Sequence, residues 1–402
     1  MARTPSDPSA SRFRWLIASS ATSNLGDGVS KVAFPLLAST LTRDPVQIAA
    51  LSAVQFLPWL LFAALAGTLV DRVDRKRAMI IANAARAVVV AAITVLVALH
   101  TVDIWTIYVS ALLIGTAETV ADSAANVLPP ALVPADRLEN ANSKLQACEI
   151  VGQTFLGGPV GSATFALFAA FPFLLTSAGF AVAAAVLIGM AGSYRPRQEH
   201  PAHIRTDFTE GFRWLRGNPV VPRLLAVAGL LSLVSELAQA QLVLYALEDL
   251  RLSDATFGLF AFVGGIGGLA GAGLAPRLVR RTGRRPVLIG GVLCCALGFG
   301  GMGLTSLPVL SAVLFGLFAA AVVAVNVVLA TVRHTLVPGE LLGRVLGVWR
   351  TVVWGAIPVG ALLGGLLTKL LGSAGRTFTA SGVMLLIVAG YAALALRRHP
   401  LR

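Results

Sequence analysis

Charge is scarce in this chain. Only 13% of its 402 residues are Asp, Glu, Lys or Arg, against about 25% in an ordinary soluble domain, and that excludes a soluble globular fold. Cysteine is scarcer still: Cys148, Cys294 and Cys295 are the whole complement. All three sit in apolar runs without metal-ligand spacing, and adjacent Cys294 and Cys295 make a poor disulfide pair. They read as packing residues, so neither a metal centre nor a disulfide framework is expected, and no cofactor is implied. Acidic residues number 19 against 32 basic ones. The net charge of +13 would suit nucleic acid, but the basic residues fall in short stretches between apolar runs and build no basic face. No phosphate-binding loop and no nucleophile constellation is present, which argues against an ATP-driven machine and against an enzyme. A cleavable leader is not expected either, because Met1–Ser11 is polar and the first apolar run is long and carries charge.

What the chain has in abundance is long apolar runs. It is 56% hydrophobic with a mean hydropathy of +0.80, and runs of about 20 residues, each able to cross a bilayer as a helix, recur along its length. The spans fall at 15–41, 46–70, 78–100, 104–126, 140–168, 171–192, 220–247, 254–276, 286–305, 308–332, 342–369 and 375–396. The reading is an all-α polytopic membrane protein with twelve transmembrane helices.

Charge position orients those helices. Basic residues gather before helix 1, at Arg72, Arg75, Lys76 and Arg77 after helix 2, in the middle loop, at Arg277 to Arg285 after helix 8, and at the end of the chain. The opposite loops hold only Arg43, Arg251, Lys369 and Arg376. Short cytoplasmic loops are enriched in Lys and Arg, so both termini and the middle loop are expected on the cytoplasmic side.

The chain also repeats. Leu132-Val133-Pro134-Ala135-Asp136 returns as Leu336-Val337-Pro338-Gly339-Glu340, and Pro159-Val160-Gly161 returns as Pro358-Val359-Gly360. The pattern predicts two six-helix halves in parallel orientation, 1–193 and 220–402, joined by a linker at 194–219 that holds a short interfacial helix. His200 and His203 in that linker have no Cys or carboxylate support and read as polar loop residues. Gly264-Gly265-Ile266-Gly267-Gly268-Leu269-Ala270-Gly271 has the look of a dinucleotide fingerprint but lacks the strand that such a motif requires. Small residues four apart in an apolar helix are instead a close-packing seam.

Polar side chains inside spans are costly and read as functional. Helix 1 carries Ser20, Asn24, Asp27 and Lys31 on one helical face. Helix 5 carries Asn142, Gln146, Glu149 and Gln153 in the same rhythm, helix 4 carries Glu118, Asp122 and Asn126, helix 3 contributes Asn83 and Arg86, and helix 7 contributes Ser232, Glu236 and Gln239. Asp27 lies about 20 Å along helix 1 at 1.5 Å per residue, past the midplane of a core about 30 Å thick. These stripes are expected to face a central aqueous cavity. A static reading pairs Asp27 with Lys31, and Arg86 with an acid across helices.

The densest charge cluster, Gly67-Thr68-Leu69-Val70-Asp71-Arg72-Val73-Asp74-Arg75-Lys76, has the spacing G-x-L-x-D-R-x-x-R-K. It resembles the signature loop between helices 2 and 3 of the major facilitator superfamily of transporters, with Asp74 where that family often has Gly. Gly152 followed by Gly157, Gly158, Pro159 and Gly161 resembles the Gly/Pro motif of the superfamily's antiporters, with Ser162 where a second Gly is common. Asn24 to Gly28, and Glu118 to Asp122 running on to Leu132, resemble the enterobactin-exporter and macrolide-efflux branch. The helix 4 Arg of many proton-coupled members is missing.

The resemblance implies a secondary exporter of a bulky small molecule, of antibiotic, macrolide or siderophore type, working as a monomer by proton antiport in the bacterial inner membrane. The polar stripes give coupling and cavity roles to Asp27, Lys31, Arg86, Glu118, Glu149, Glu236, Asn24, Gln146 and Gln153, and the resemblance implies a conformational latch at Gly67, Asp71, Arg72, Arg75, Lys76 and Asp122. A lysophospholipid flippase, a nutrient importer and a non-transporting membrane receptor remain as alternatives at this point.

Overall fold

A computed structural model describes residues 8–70, 73–134, 137–195 and 204–397, and among them it holds helices and no strand. In chain order these are α1 (Pro8–Leu41), α2 (Pro45–Val70), α3 (Arg75–Ala98), α4 (Ile104–Val127), α5 (Leu138–Glu149), α6 (Gly157–Leu167), α7 (Phe171–Gly189), α8 (Ile204–Gly217), α9 (Val221–Gln239), the single turn α10 (Leu242–Leu244), α11 (Asp254–Thr282), α12 (Arg284–Leu304), α13 (Pro308–Leu336), α14 (Gly339–Leu371) and α15 (Ala374–Ala395). A π-helical stretch, Ile150–Leu156, joins α5 to α6, and a second, Tyr245–Asp249, follows α10.

Nine stretches among the described residues are long and apolar enough to cross a membrane. The spans expected first, second and fifth fall outside those nine, but the structure makes all three helical, as α1, α2 and α5 to α6. Two of them, α1 and α5, are less apolar because they bear the polar stripes. Together with the nine they give the twelve-span architecture expected from the sequence.

The chain forms two compact units. The first comprises Met1–Ala38, Leu61–Pro201 and Asp254–Gly258; the second comprises Ser39–Leu60, Ala202–Ser253 and Leu259–Arg402. The grouping follows contact rather than sequence order, so α2 and α11 each contribute to both units.

In the first unit α3 packs between α4 and α7. Ser19 Oγ donates to the Ala183 carbonyl at 3.0 Å, tying α1 to α7, and Ser177 Oγ donates to the Ala87 carbonyl at 2.8 Å, tying α7 to α3. Phe13, Leu16, Met79, Leu128, Leu187 and Met190 close one end of the unit as a buried cluster. In the second unit α9 packs on α14 and α15, and α12 on α13 and α15.

The glycine-rich stretch of α11 is a packing seam. A Cβ on Gly267 would stand 2.0 Å from the Gly316 carbonyl oxygen, and one on Gly271 only 2.1 Å from that of Ala320. Backbone approach of this kind needs hydrogen in place of a methyl group. The linker helix α8 docks on α14, with Leu215 buried and Arg344 Nη1 2.7 Å from Glu210 Oε2. His200 and His203 lie outside the described residues. The three cysteines are free thiols, and Cys295 is buried.

Candidate transport site

The first unit is organised around a buried ion pair. Arg86 Nη1 on α3 donates to Asp27 Oδ1 on α1 at 2.9 Å, with the two side chains only 2% and 10% exposed. The guanidinium is held by two further contacts. Nη2 donates to Asn83 Oδ1, one turn earlier on α3, at 2.5 Å, and the ring of Phe180 on α7 lies 4.2 Å below its carbon. A charge in a dry interior is tolerable only with such compensation, and removing one partner leaves an uncompensated charge at a cost of about 3–5 kcal/mol. Arg86 is the partner of Asp27 here, not Lys31.

Lys31 has a different partner. Its ammonium donates to Gln153 Oε1, while Gln153 Nε2 donates to Asn24 Oδ1 at 2.7 Å. Asn24 Nδ2 in turn donates to the Ser20 carbonyl at 2.7 Å and to Ser20 Oγ at 3.1 Å. One face of α1 is thus bound to the π-helical stretch by a polar chain that runs from Ser20 to Lys31.

The glycines explain how α1 and that stretch come close enough. A Cβ on Gly157 would lie 2.4 Å from both C and Cα of Gly28, and one on Gly28 would lie 2.6 Å from Gln153 Cα. A Cβ on Gly152 would reach Asn24 at 2.9 Å, and one on Gly161 the Val29 carbonyl oxygen at 2.9 Å. The two backbones are in direct contact for about two turns. Gly158 serves a different neighbour, since a Cβ on Gly258 would stand 2.2 Å from its carbonyl oxygen. Pro159, which has no amide hydrogen to donate, falls in the first turn of α6, where no intrahelical partner is needed. The π geometry at Ile150–Leu156 re-aims Gln153 within helix 5; π-bulges are rare and frequently mark functional sites. Nothing in the sequence rhythm announces it.

Two more acids lie within electrostatic reach of the pair, and a third, Glu149, stands beside one of them. Glu118 on α4 is half-buried and within electrostatic reach of Asp27, Asp122, Lys31 and Arg86. Asp122, one turn further along, interacts with Asp27, Arg86, Glu149 and Lys31. It stands with this group; the helix 4 stripe assigns it to the cavity, and the family resemblance also assigns it to the latch at the loop after α2. Glu149 is exposed and accepts from Gln146 Nε2 at 3.2 Å. Three carboxyl groups, Asp27, Glu118 and Asp122, therefore share the field of two cations, Lys31 and Arg86, with Glu149 beside Asp122.

In the second unit Glu236 on α9 accepts from Ser52 Oγ on α2 at 2.7 Å. Ser232, one turn earlier, donates to the Val353 carbonyl of α14 at 2.7 Å.

Of the charged loop after α2, Asp71 and Arg72 lie outside the described residues, and Gly67 lies in the last turn of α2. Arg75 Nη1 donates to the Val127 carbonyl at the end of α4 at 2.9 Å. Lys76 Nζ donates to the carbonyls of Met190, the residue that caps α7, at 2.5 Å and of Ile188, in the last turn of α7, at 3.3 Å. Both cations thus neutralise carbonyl groups left unpaired where helices stop.

Sequence reasoning passed over the residue that organises this corner. Asp74, 4% exposed, caps α3 by accepting from the Arg77 amide at 3.0 Å. Its second oxygen accepts from Ser193 Oγ at 2.5 Å and from the Tyr194 amide at 2.8 Å. Burial pushes this carboxyl up, but the hydrogen bonds from Ser193, Arg77 and Tyr194 outweigh it and hold it below the ordinary aspartate value. The signal that could have found it is the Asp immediately before a helix start.

A family model described as Major Facilitator Superfamily matches residues 16–335 and 226–402. The chain is 28% identical over 365 residues, 86% of this chain and 84% of the relative, to the multidrug efflux pump Tap of Mycobacterium tuberculosis (strain ATCC 25618 / H37Rv). It is 27% identical over 382 residues, 91% of each, to the multidrug efflux pump Tap of Mycolicibacterium fortuitum. Among solved structures, a bacterial homolog of the human lysosomal transporter Spinster superposes with a TM-score of 0.76 over 98% of each chain at 14% identity, a likeness of fold alone.

Proposed function

Since the chain belongs to the Major Facilitator Superfamily, we propose that it is a secondary exporter that expels a bulky, partly apolar small molecule by proton antiport with alternating access. Both termini and the 194–219 linker lie on the cytoplasmic side of a bacterial inner membrane, and the protein works as a monomer built of two six-helix halves, 1–193 and 220–402. Similarity to multidrug efflux pumps favours export of toxic compounds over nutrient import, lipid flipping or a receptor role.

The observation that carries the coupling mechanism is the Asp27–Arg86 pair with the carboxyls of Glu118 and Asp122 in electrostatic reach of it. A proton that loads Asp27 releases Arg86, and a movable Arg86 can discharge it again. Glu118, Asp122 and Glu149 are next in line for the proton, and Glu236 is the candidate in the second half. The excess of carboxyl groups over cations also selects cargo. It favours an amphiphile with a basic amine, as in many antibiotics including macrolides, over an anionic siderophore. One proton crossing 150 mV releases about 3.5 kcal/mol, at roughly 2.3 kcal/mol per 100 mV, enough for a gradient of a few hundred-fold.

The test is uptake into inverted vesicles. An imposed pH gradient, acid inside, should drive accumulation of cationic drugs, and collapsing the gradient should abolish it. Uptake that needs ATP, or that ignores the gradient, overturns the mechanism. Cysteines replacing Ser6 and Thr206 should resist impermeant thiol reagents in intact cells, and labelling of both from outside would overturn the orientation.

A further inference from the structure

A cleft of about 610 Å³ opens between α3 and α4 in the first unit, away from the Asp27–Arg86 pair. Its volume falls in the about 300–1,000 Å³ range of ligand sites. Its walls are Ile81, Ala85, Leu113, Thr116 and Ala117, nearly all apolar. Ile81 is 67% exposed and Leu113 49% exposed. On α3, Ile81, Val88 and Val95 are all exposed at spacings of seven, one helical face, while Asn83 and Arg86 are buried on another. An apolar exposed face on a spanning helix is a lipid face, so the cleft opens towards the bilayer rather than the polar site.

One end of the cleft is cationic. Arg77, in the first turn of α3, and Arg195, after α7, both line it, and both are exposed. Among the described residues neither guanidinium has a hydrogen-bond or ion-pair partner, and Arg77 feels only the nearby charge of Asp74. Among the described residues Asp74 is the only acid in the lining, and both its oxygens are already taken, by the Arg77 amide and by Ser193 and Tyr194. The start of α3 adds the positive end of a helix dipole.

We propose that this cleft binds one anionic phospholipid, its phosphate held between Arg77 and Arg195 and one acyl chain lying along Ile81, Ala85, Leu113 and Ala117. Guanidinium groups pair with phosphate through two parallel hydrogen bonds, and basic pockets between spanning helices at the membrane surface recognise lipid headgroups. The same charge disfavours the cationic cargo proposed above, so the cleft is a lipid site and not an entrance for drug. The inference needs only a membrane-embedded chain and holds whichever substrate is exported.

Native mass spectrometry of the purified full chain tests it, with phosphatidylglycerol and phosphatidylcholine of identical acyl chains as probes. The wild-type protein should retain phosphatidylglycerol about tenfold or more over phosphatidylcholine. Arg77→Ala with Arg195→Ala should remove that preference without changing retention of phosphatidylcholine, whereas Arg77→Lys with Arg195→Lys should keep most of it. Ala117→Trp, which fills the cleft, should reduce retention of both lipids. Equal retention of the two lipids by the wild type, an unchanged preference in the double alanine variant, or displacement of phosphatidylglycerol by ethidium would overturn the proposal. Unchanged thermal unfolding of the exposed-arginine variants separates a lost site from a lost fold.

Discussion

Asp27 and Arg86, 59 positions apart in sequence, meet at 2.9 Å inside the first unit, and the cation is clamped from below by Phe180 and from the side by Asn83. The pair separates two roles that a single variant would confuse. Asp27→Asn leaves Arg86 buried without its counter-charge and should lower stability by about 3–5 kcal/mol. Asp27→Asn with Arg86→Gln should recover much of that stability, read as thermal unfolding in detergent. If Asp27 carries the proton, the double variant should still fail to accumulate drug under a pH gradient while exchanging substrate between equal pools. Gradient-driven accumulation by the stable double variant would move the coupling role to Glu118, Asp122 or Glu149.

The chain from Lys31 through Gln153 and Asn24 to Ser20 fixes the polar face of α1. Gln153→Leu removes the middle of it and strands two partners at once. Leaving a partly buried polar group unsatisfied costs about 1–3 kcal/mol. The expected outcome is a raised KM for cationic drugs with a smaller change in maximal rate. Gln153→Glu, which can still accept from Lys31, should lie closer to the wild type. Equal behaviour of both variants would remove the chain from substrate binding.

Gly157 tests the seam between α1 and α6. Gly157→Ala places a methyl group 2.4 Å from Gly28, so the helices must separate, at a cost of about 1–3 kcal/mol. Transport should fall with stability. Gly343→Ala is the matched control, because a Cβ there meets nothing within 4 Å. A Gly157→Ala protein as stable and active as Gly343→Ala would mean that the approach of the two backbones is not required.

Asp74 links loop structure to pH. Its folded-state pKa is depressed, so its contribution is complete above the unfolded value of about 3.9 and is lost as pH falls through the lower folded value. Near neutral pH, Asp74→Ala should cost about 0.5–2 kcal/mol through the lost helix cap. The gap between wild type and variant should close in strong acid. Asp74→Asn should lose less, since an amide oxygen can still cap. A gap that stays constant down to about pH 2 would rule out the capping carboxylate as its source.

Glu236 and Ser52 form the corresponding contact of the second unit. Ser52→Ala should slow transport and alter its pH dependence if the hydroxyl holds Glu236 in a particular protonation state, and Ser52→Thr should restore both. A pH profile that Ser52→Ala leaves unmoved would confine Glu236 to a structural role.

The sequence alone determined the class of the molecule. Apolar runs of bilayer length admit only helices, because a lipid-exposed backbone must satisfy its own hydrogen bonds, and the signature loop after α2 placed the chain in its superfamily. The stripes on α1, α4 and α5 were legible too, since polar side chains at helical spacing in an apolar helix stand out without a structure. Which of those side chains meet was decided only by tertiary structure. Asp27 has Lys31 one turn away in sequence, yet Arg86 reaches it from α3 because Phe180 and Asn83 hold the guanidinium there. Lys31 turns to Gln153 because the π-helical stretch shifts the register of helix 5, and α1 can approach that stretch because Gly28, Gly152 and Gly157 leave room. Asp74 shows the same limit from the other side. It looked like a departure from a family pattern, and its role as a cap and tether depends on Ser193 and Tyr194, which only folding brings within hydrogen-bond distance.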